Sequence, residues 1–238
     1  GAGVAQHDFQ AIMEEGEQVE RPAFDRRGVP RRPELRQLPG ELGQQRQCHV
    51  IVGDEADDAE GGAAEGNPKK PGWAPEIWSI GHRNVQGAAL HPQTGQLWTA
   101  EHGARGGDEI NTPKAGLNYG WPVITYGIDY SGVKIGEGTN KSGMEQPLFY
   151  WDPSIAPSGA AFYTGSVWPA WKNSLFVGAL AGQLLARLST DGEKVTGEER
   201  LLTTLGERIR DVVQGPDGFL YLLSDDSNGK VLRVRPAR

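Results

Sequence analysis

A chain of 238 residues with 37% hydrophobic content and a net charge of −7 has room for one large domain or two small ones, and it carries no long basic run. Phosphate binding needs clustered Lys and Arg, so nucleic acid is excluded as a main partner. The single cysteine, Cys48, excludes an internal disulfide, and no apolar run approaches the ~20 residues of a membrane span.

Residues 1–70 mix Glu, Gln, Arg, Gly and Pro without a sustained period. FQAIMEEGEQVE has the makings of a helical turn or two, and HVIV at 49–52 of a short strand. GDEADDAEGGAAEG is acidic, small and Gly-rich, a linker composition that cannot bury enough surface to fold. All seven Trp and all six Tyr lie at or beyond Trp73. The expectation is a low-complexity, disordered segment over 1–70 and a globular domain over 71–238. The alternatives are a small unfamiliar domain, or a segment foreign to the globular domain after it. No basic-then-apolar leader pattern opens the chain at Gly1.

From Gly72 onward short apolar runs are broken by Gly, Pro, Asn and Asp, the pattern of an all-β chain. A unit of strand, tight turn and strand recurs: GAAL (87–90) with LWTAEH (97–102), GAAF (159–162) with LFVGAL (175–180), and DVVQ (211–214) with LYLLSD (220–225). The second unit continues into LLARLS (184–189) and the third into KVLRVRP (230–236). Each second strand opens on Leu and an aromatic: Leu97-Trp98, Leu175-Phe176, Leu220-Tyr221. Meander units at this spacing predict β-propeller blades rather than unrelated hairpins of a sandwich. Three units are too few to close a ring, and the first carries a long insertion, Arg105 to Pro157.

One stretch, Trp78 to Tyr130, gathers polar chemistry: His82, Arg83 and Asn84, a Gly-broken loop ending in Asp108 and Glu109, and the aromatics Tyr119, Trp121, Tyr126 and Tyr130. Arg208 and Arg210 alternate on a strand, which puts both guanidinia on one face. EHGARGGDEIN offers carboxylates together with carbonyls that Gly-rich backbone can expose, the hard oxygens that calcium prefers. DDSNG at 225–229 has similar composition but reads as an Asx-rich turn between strands.

PEIWSIGHRNVQGAALHP, EHGARGGDEIN, GLNYGWPVITYGIDYSG, WDPSIAPSG, FVGAL and RIRDVVQGPDG occur in the order found in the soluble aldose sugar dehydrogenases that use pyrroloquinoline quinone (PQQ), the glucose/sorbosone dehydrogenase family. Residues 72–238 resemble the C-terminal half of that family. The resemblance implies a six-bladed propeller, about half of whose blades are present, and oxidation of an aldose to its lactone with PQQ and calcium. It implies an electron acceptor as second partner and a periplasmic or secreted location.

The ligand fits the residues. PQQ carries three carboxylates and a flat quinone, so its pocket needs guanidinium forks, amide donors and stacking surfaces. By resemblance, Arg83, Asn84, Arg208 and Arg210 contact the cofactor, as do Tyr130, Ser131 and Gly132. Glu109, the Tyr119 carbonyl, Gly103 and Ala104 hold calcium, and Asp108 and Ser154 lie at the sugar. In the family calcium polarises the quinone while a histidine base takes the anomeric proton and hydride passes to the quinone. That base has no counterpart here: His7 and His49 lack its context, His102 stands where some relatives have glutamine, and His82 is expected to orient its loop. Ala181 replaces a lysine of some members. The alternatives are a calcium-dependent lactonase-type propeller hydrolase and a non-catalytic propeller module binding carbohydrate or protein. The resemblance thus implies an enzyme whose activity in this chain is impaired.

Overall fold

The structure, a computed structural model, describes residues 48–51 and 66–236. The readings of FQAIMEEGEQVE and of the acidic linker fall outside these residues. Within them the chain is all-β: thirteen strands and one 3₁₀ turn, Pro169–Trp171. The strand expected at HVIV is present as β1 (Cys48–Ile51), and it pairs antiparallel with β2 (Ile77–His82).

Three propeller blades come next. The first comprises β3 (Val85–Leu90), β4 (Leu97–Glu101), β5 (Asp108–Asn111) and β6 (Phe149–Trp151), hydrogen-bonded in that order. The second comprises β7 (Pro157–Phe162), β8 (Leu175–Ala179), β9 (Leu184–Asp191) and β10 (Lys194–Leu201). The third has β11 (Ile209–Gln214), β12 (Leu220–Ser224) and β13 (Val231–Arg233). All pairings are antiparallel between neighbours in sequence, as a meander requires.

The opening strands of the three blades, β3, β7 and β11, lie side by side. Small residues make this approach feasible. A Cβ on Gly87 of β3 would sit 2.4 Å from the Ser158 carbonyl oxygen of β7, and one on Gly159 would sit 1.8 Å from Asp211 Oδ1 of β11. The recurring Gly-Ala-Ala therefore marks where one blade meets the next. Ser158 adds a tie by donating its hydroxyl to the Ile209 carbonyl at 2.6 Å.

Two cores lie between the three sheets, and the middle sheet feeds both. Leu175, Val177 and Ala179 of β8, with Leu184, Ala186 and Leu188 of β9, meet Trp98, Ile110 and Trp151 of the first blade. The alternate residues Phe176 and Leu185 turn the other way, onto Ile209, Leu220 and Leu222 of the third blade. A sheet buried on both faces needs continuous apolar runs, which is why LFVGAL and LLARL lack polar alternation. Trp98 and Phe176 each face the next blade. Tyr221, at the equivalent place, stays half-buried with the Arg233 guanidinium 5.9 Å from its ring centroid, and Leu223 and Val231 beside it are exposed.

The insertion differs from expectation. Part of Arg105–Pro157 is blade, because β5 and β6 complete the first sheet. The excursion proper runs over 112–148 and folds back over β2, with Tyr119 N–H donating to the Ile80 carbonyl at 2.8 Å and Trp121 N–H to the Gly81 carbonyl at 2.8 Å.

Candidate functional site

Two cavities meet at the end of β4. The larger, about 630 Å³, is lined by His102, Gly103, Ala104, Arg105 and Gly106, by Tyr126, Ile128 and Tyr130 of the excursion, and by Asp152 to Ser154, Ala156 and Ala181. The smaller is lined by Gly81, Arg83, Glu101, His102, Gly103, Gly107, Glu109, Tyr119 and Trp121, with Ile124 and Thr125. His102 and Gly103 form the common wall.

Arg83 comes directly after β2. Its turn is possible only with glycine at 81, where φ is +81° and a Cβ would sit 2.2 Å from Asn118 Oδ1 and 2.5 Å from the Gly120 nitrogen. The Arg83 N–H donates to Glu101 Oε2 at 2.7 Å, and its Nη1 donates to the His102 carbonyl at 3.2 Å. The guanidinium lies 5.2 Å from the Trp121 ring centroid, a cation–π distance. His82 orients this turn as expected. It is fully buried, hydrogen-bonded to Ser79 Oγ at 2.9 Å and Glu101 Oε1 at 3.0 Å, and stacked on Tyr119 at 4.7 Å.

Glu101 and Glu109 face each other across strands β4 and β5. Burial works to raise the Glu101 pKa, but His82, the Arg83 N–H and Asn111 together hold it below the ordinary value. Glu109 opens on the small cavity. Burial, reinforced by the charges of Glu101 and Asp108, pushes its carboxyl up to about 8. Asn111 Nδ2 bridges the pair, donating to Glu101 Oε1 at 2.7 Å and to Glu109 Oε2 at 3.1 Å, while its buried Oδ1 has no hydrogen-bond partner. A carboxyl strained toward protonation beside an orphaned amide oxygen is a donor set that suits a hard divalent cation. Among the described residues no three His, Cys, Asp or Glu side chains gather as a metal cluster, so any such ion would depend on backbone oxygens as well.

The sequence-predicted residues are thus distributed over both cavities. Glu109 and Tyr119 line the small one, Ala104 lines the large one, and Gly103 touches both. The residues expected to hold calcium are therefore divided between two places that share a wall. Tyr130 and Ser154 line the large cavity, and Tyr130 is 70% exposed at its mouth. Ser131 is committed elsewhere, giving both its N–H and its hydroxyl to Asp129, and Gly132 shapes that turn with φ +90°. Asn84 Oδ1 accepts from Gln86 Nε2 at 2.7 Å.

Asp108, expected near the sugar, lines neither of the two cavities. Its side chain is fully buried and accepts four hydrogen bonds: from Gly103 N–H, the Ser154 hydroxyl, Ile155 N–H and Ala156 N–H, at 2.7–3.0 Å. It fastens the Gly-rich loop to the segment before β7. Arg208 and Arg210 do share a face, and both grip Asp225, each through Nε and Nη2 at 2.8–3.0 Å. DDSNG is the turn it was read to be, closed by Asn228 N–H on Asp226 Oδ1 at 2.8 Å. Burial pushes the His102 pKa down, Pro157 and Asp108 work against this, and the positive charges of Arg83 and Arg210 lower it further. Arg83 lines the small cavity, whereas Arg208 and Arg210 line neither cavity. Sequence reasoning missed Glu101 and Asn111 as members of the site, and Trp121 stood out only as one of a run of aromatics.

Stacked meander blades whose opening strands lie side by side define a β-propeller architecture. Comparison with known proteins makes this specific: a family model described as Glucose / Sorbosone dehydrogenase matches residues 57–233, and the chain belongs to that family. Aldose sugar dehydrogenase YliI of Escherichia coli K12 is 51% identical over 181 residues, 74% of this chain and 49% of its own. The crystal structure of the soluble Escherichia coli aldose sugar dehydrogenase in its apo-form superposes with a TM-score of 0.71, covering 73% of this chain and 51% of that one. The PQQ-bound form of the Streptomyces coelicolor aldose sugar dehydrogenase does so at 0.61 with 27% identity, covering 79% and 51%. The chain spans about half the length of the curated relatives it matches. The family match starts at residue 57, upstream of the residue-72 start carried by the motifs.

Proposed function

We propose that this chain serves the oxidation of an aldose to its lactone, with PQQ as the cofactor and calcium as its companion ion. The observation that supports this best is the shared wall of His102 and Gly103. A guanidinium (Arg83), a carboxyl poised for a cation (Glu109) and a cavity of about 630 Å³ all abut it. That volume is in the range of cofactor and ligand sites. Donor chemistry matches as well, since a tricarboxylate needs a guanidinium and Arg83 lines the small cavity.

When bound, PQQ supplies an ortho-quinone able to take up the two electrons lost at the sugar's anomeric carbon, and calcium supplies a Lewis acid. The chain's own part is binding and orientation. The Arg83 guanidinium is pre-set by the Trp121 ring and the His102 carbonyl, so little rotamer freedom is lost when an anion arrives. Asp108 fixes the Gly103 end of the loop and, from the other side, the Ser154 hydroxyl. His102 keeps its ring turned by a 2.6 Å contact between Nε2 and the Pro157 carbonyl. His82 and His91 are fully buried, so none of these three is offered as the base. Turnover by this chain alone is accordingly proposed to be slow. A periplasmic or secreted setting and a separate electron acceptor belong to the same proposal. Among the described residues no helix is long and apolar enough to cross a membrane.

The test is dye reduction by the chain supplied with PQQ and calcium, with glucose and other aldoses as substrates. Slow, sugar-dependent reduction that needs both additions is the expected result. Rapid turnover would contradict the assignment of no base, and reduction indifferent to PQQ would contradict the proposed chemistry.

A further inference from the structure

The backbone around the mouth of the large cavity is fastened from three directions. Arg105 and Ile128 exchange both of their backbone hydrogen bonds, at 2.9 and 3.1 Å, which ties the Gly-rich loop to the excursion. Gly107 N–H donates to the Trp151 carbonyl at 2.9 Å, which ties the same loop to the segment carrying Asp152. The excursion's tip is a closed turn: Asp129 N–H donates to the Val133 carbonyl at 2.9 Å, Gly132 N–H to the Asp129 carbonyl at 2.8 Å, and Ser131 binds Asp129 Oδ1 through both N–H and hydroxyl. Three side chains on this frame are nevertheless unused by the protein. Arg105 and Asp152 line the cavity, are exposed and carry opposite charge, yet among the described residues their side chains have no hydrogen-bonded or ionic partner, not even each other. Tyr130 stands exposed at the mouth with its ring stacked on no other. Tyr126 shows the contrast: its ring stacks on Tyr150 at 3.9 Å and its hydroxyl donates to Gln146 Oε1 at 2.7 Å. Glycine at 106, with φ +79°, is what admits the carboxylate, since a Cβ there would sit 2.3 Å from Asp152 Oδ1.

We propose that Arg105, Asp152 and Tyr130 form a sugar-recognising rim, which selects the aldose by its hydroxyls away from the anomeric carbon. The inference rests on the function proposed above and deepens it by naming what chooses the substrate. A polyol ring asks three things of a protein: an acceptor for its hydroxyl protons, a donor to its hydroxyl oxygens, and a flat surface for its C–H face. An ionised carboxylate only accepts, a guanidinium only donates, and a tyrosine ring is flat and apolar. The pair of charges also sets the kind of ligand. An anion is opposed by Asp152 and a cation by Arg105, whereas a neutral molecule that both donates and accepts satisfies the two together. Because the backbone beneath them is already tied, binding has only side chains to order.

The experiment uses the full chain and follows sugar binding by ligand-observed NMR. D-glucose is compared with 1,5-anhydro-D-glucitol, which keeps the ring and the remote hydroxyls but has no anomeric hydroxyl and cannot become a lactone. The wild type is expected to bind both with comparable affinity. Asp152→Asn and Arg105→Gln, each exposed and close in shape to the original, are expected to weaken both sugars by about tenfold, as loss of a charged hydrogen bond does. Tyr130→Ala is expected to weaken them as well, while Tyr130→Phe, which keeps the flat face, retains most of the affinity. D-galactose and D-mannose, each differing from glucose at a single hydroxyl, supply a readout that loosening of the loop would not move. Asp152→Asn and Arg105→Gln should change the ranking of the three sugars, whereas a merely structural role would weaken all of them alike. A wild type that binds none of these sugars, affinities unmoved by the three substitutions, or a ranking that neither charge variant alters overturns the inference. Dye reduction with PQQ and calcium is measured alongside. Sugar binding that depends on the rim in a chain reducing no dye counts against the proposed function and supports the rim, while dye reduction indifferent to all three substitutions overturns the rim alone.

Discussion

Glu109 carries the clearest pH signature at the residue scale. Its carboxyl titrates near 4.5 in the unfolded chain and is pushed up to about 8 in the fold. Between those values the folded state holds a proton that the unfolded state has lost, so this group makes stability fall as pH rises from about 5 to 8. Melting temperatures across that window should show the decline, and calcium or Glu109→Gln should flatten it; a slope unaffected by both would contradict the geometry. Asp108 makes the opposite kind of prediction. Asp108→Ala orphans four donors, two of them fully buried, and should cost about 3–5 kcal/mol in urea unfolding, together with loss of order in the Gly-rich loop. A cost below about 1 kcal/mol would mean that water replaces the carboxylate without penalty. These roles were unevenly legible. GHRN and GGDEIN advertised Arg83 and Glu109 by local composition, whereas Glu101 and Asn111 are ordinary strand residues in sequence. Only the pairing of β4 with β5 makes them neighbours of the site.

At the scale of elements, β7–β10 is the sheet on which the other two depend. Phe176 is fully buried against Trp171, Tyr163 and the third blade, and Phe176→Ala should cost about 3–5 kcal/mol by denaturant titration. Gly159→Ala adds one methyl, yet it should cost about 1–3 kcal/mol, because that methyl meets Asp211 at the seam between blades. A neutral Gly159→Ala would mean that β7 and β11 are not held at the distance described. The strands of the recurring unit were readable because burial on both faces demands apolar runs. β10 was not: KVTGEERL is exposed along most of its length, and charged side chains suit an outermost strand that must not pair with others. β5 and β6 were read as insertion since four and three residues between Gly-rich segments give no period to detect.

For the whole molecule, the unit counted in sequence became three stacked blades, and the site arises where the first blade's Gly-rich loop, the excursion of 112–148 and the second blade's leading segment meet. That meeting could not be read from local pattern, because it depends on how far the excursion folds back over β2. The central claim is that Arg83, in the turn before the first blade, and Arg210 of the third blade serve one tricarboxylate ligand beside a cation. Titration of the chain with PQQ in saturating calcium, followed by quinone absorbance, tests it most directly. The account predicts saturable one-site binding that Arg83→Ala and Arg210→Ala each weaken by about tenfold or more. Absence of binding, or binding that neither substitution alters, would contradict it.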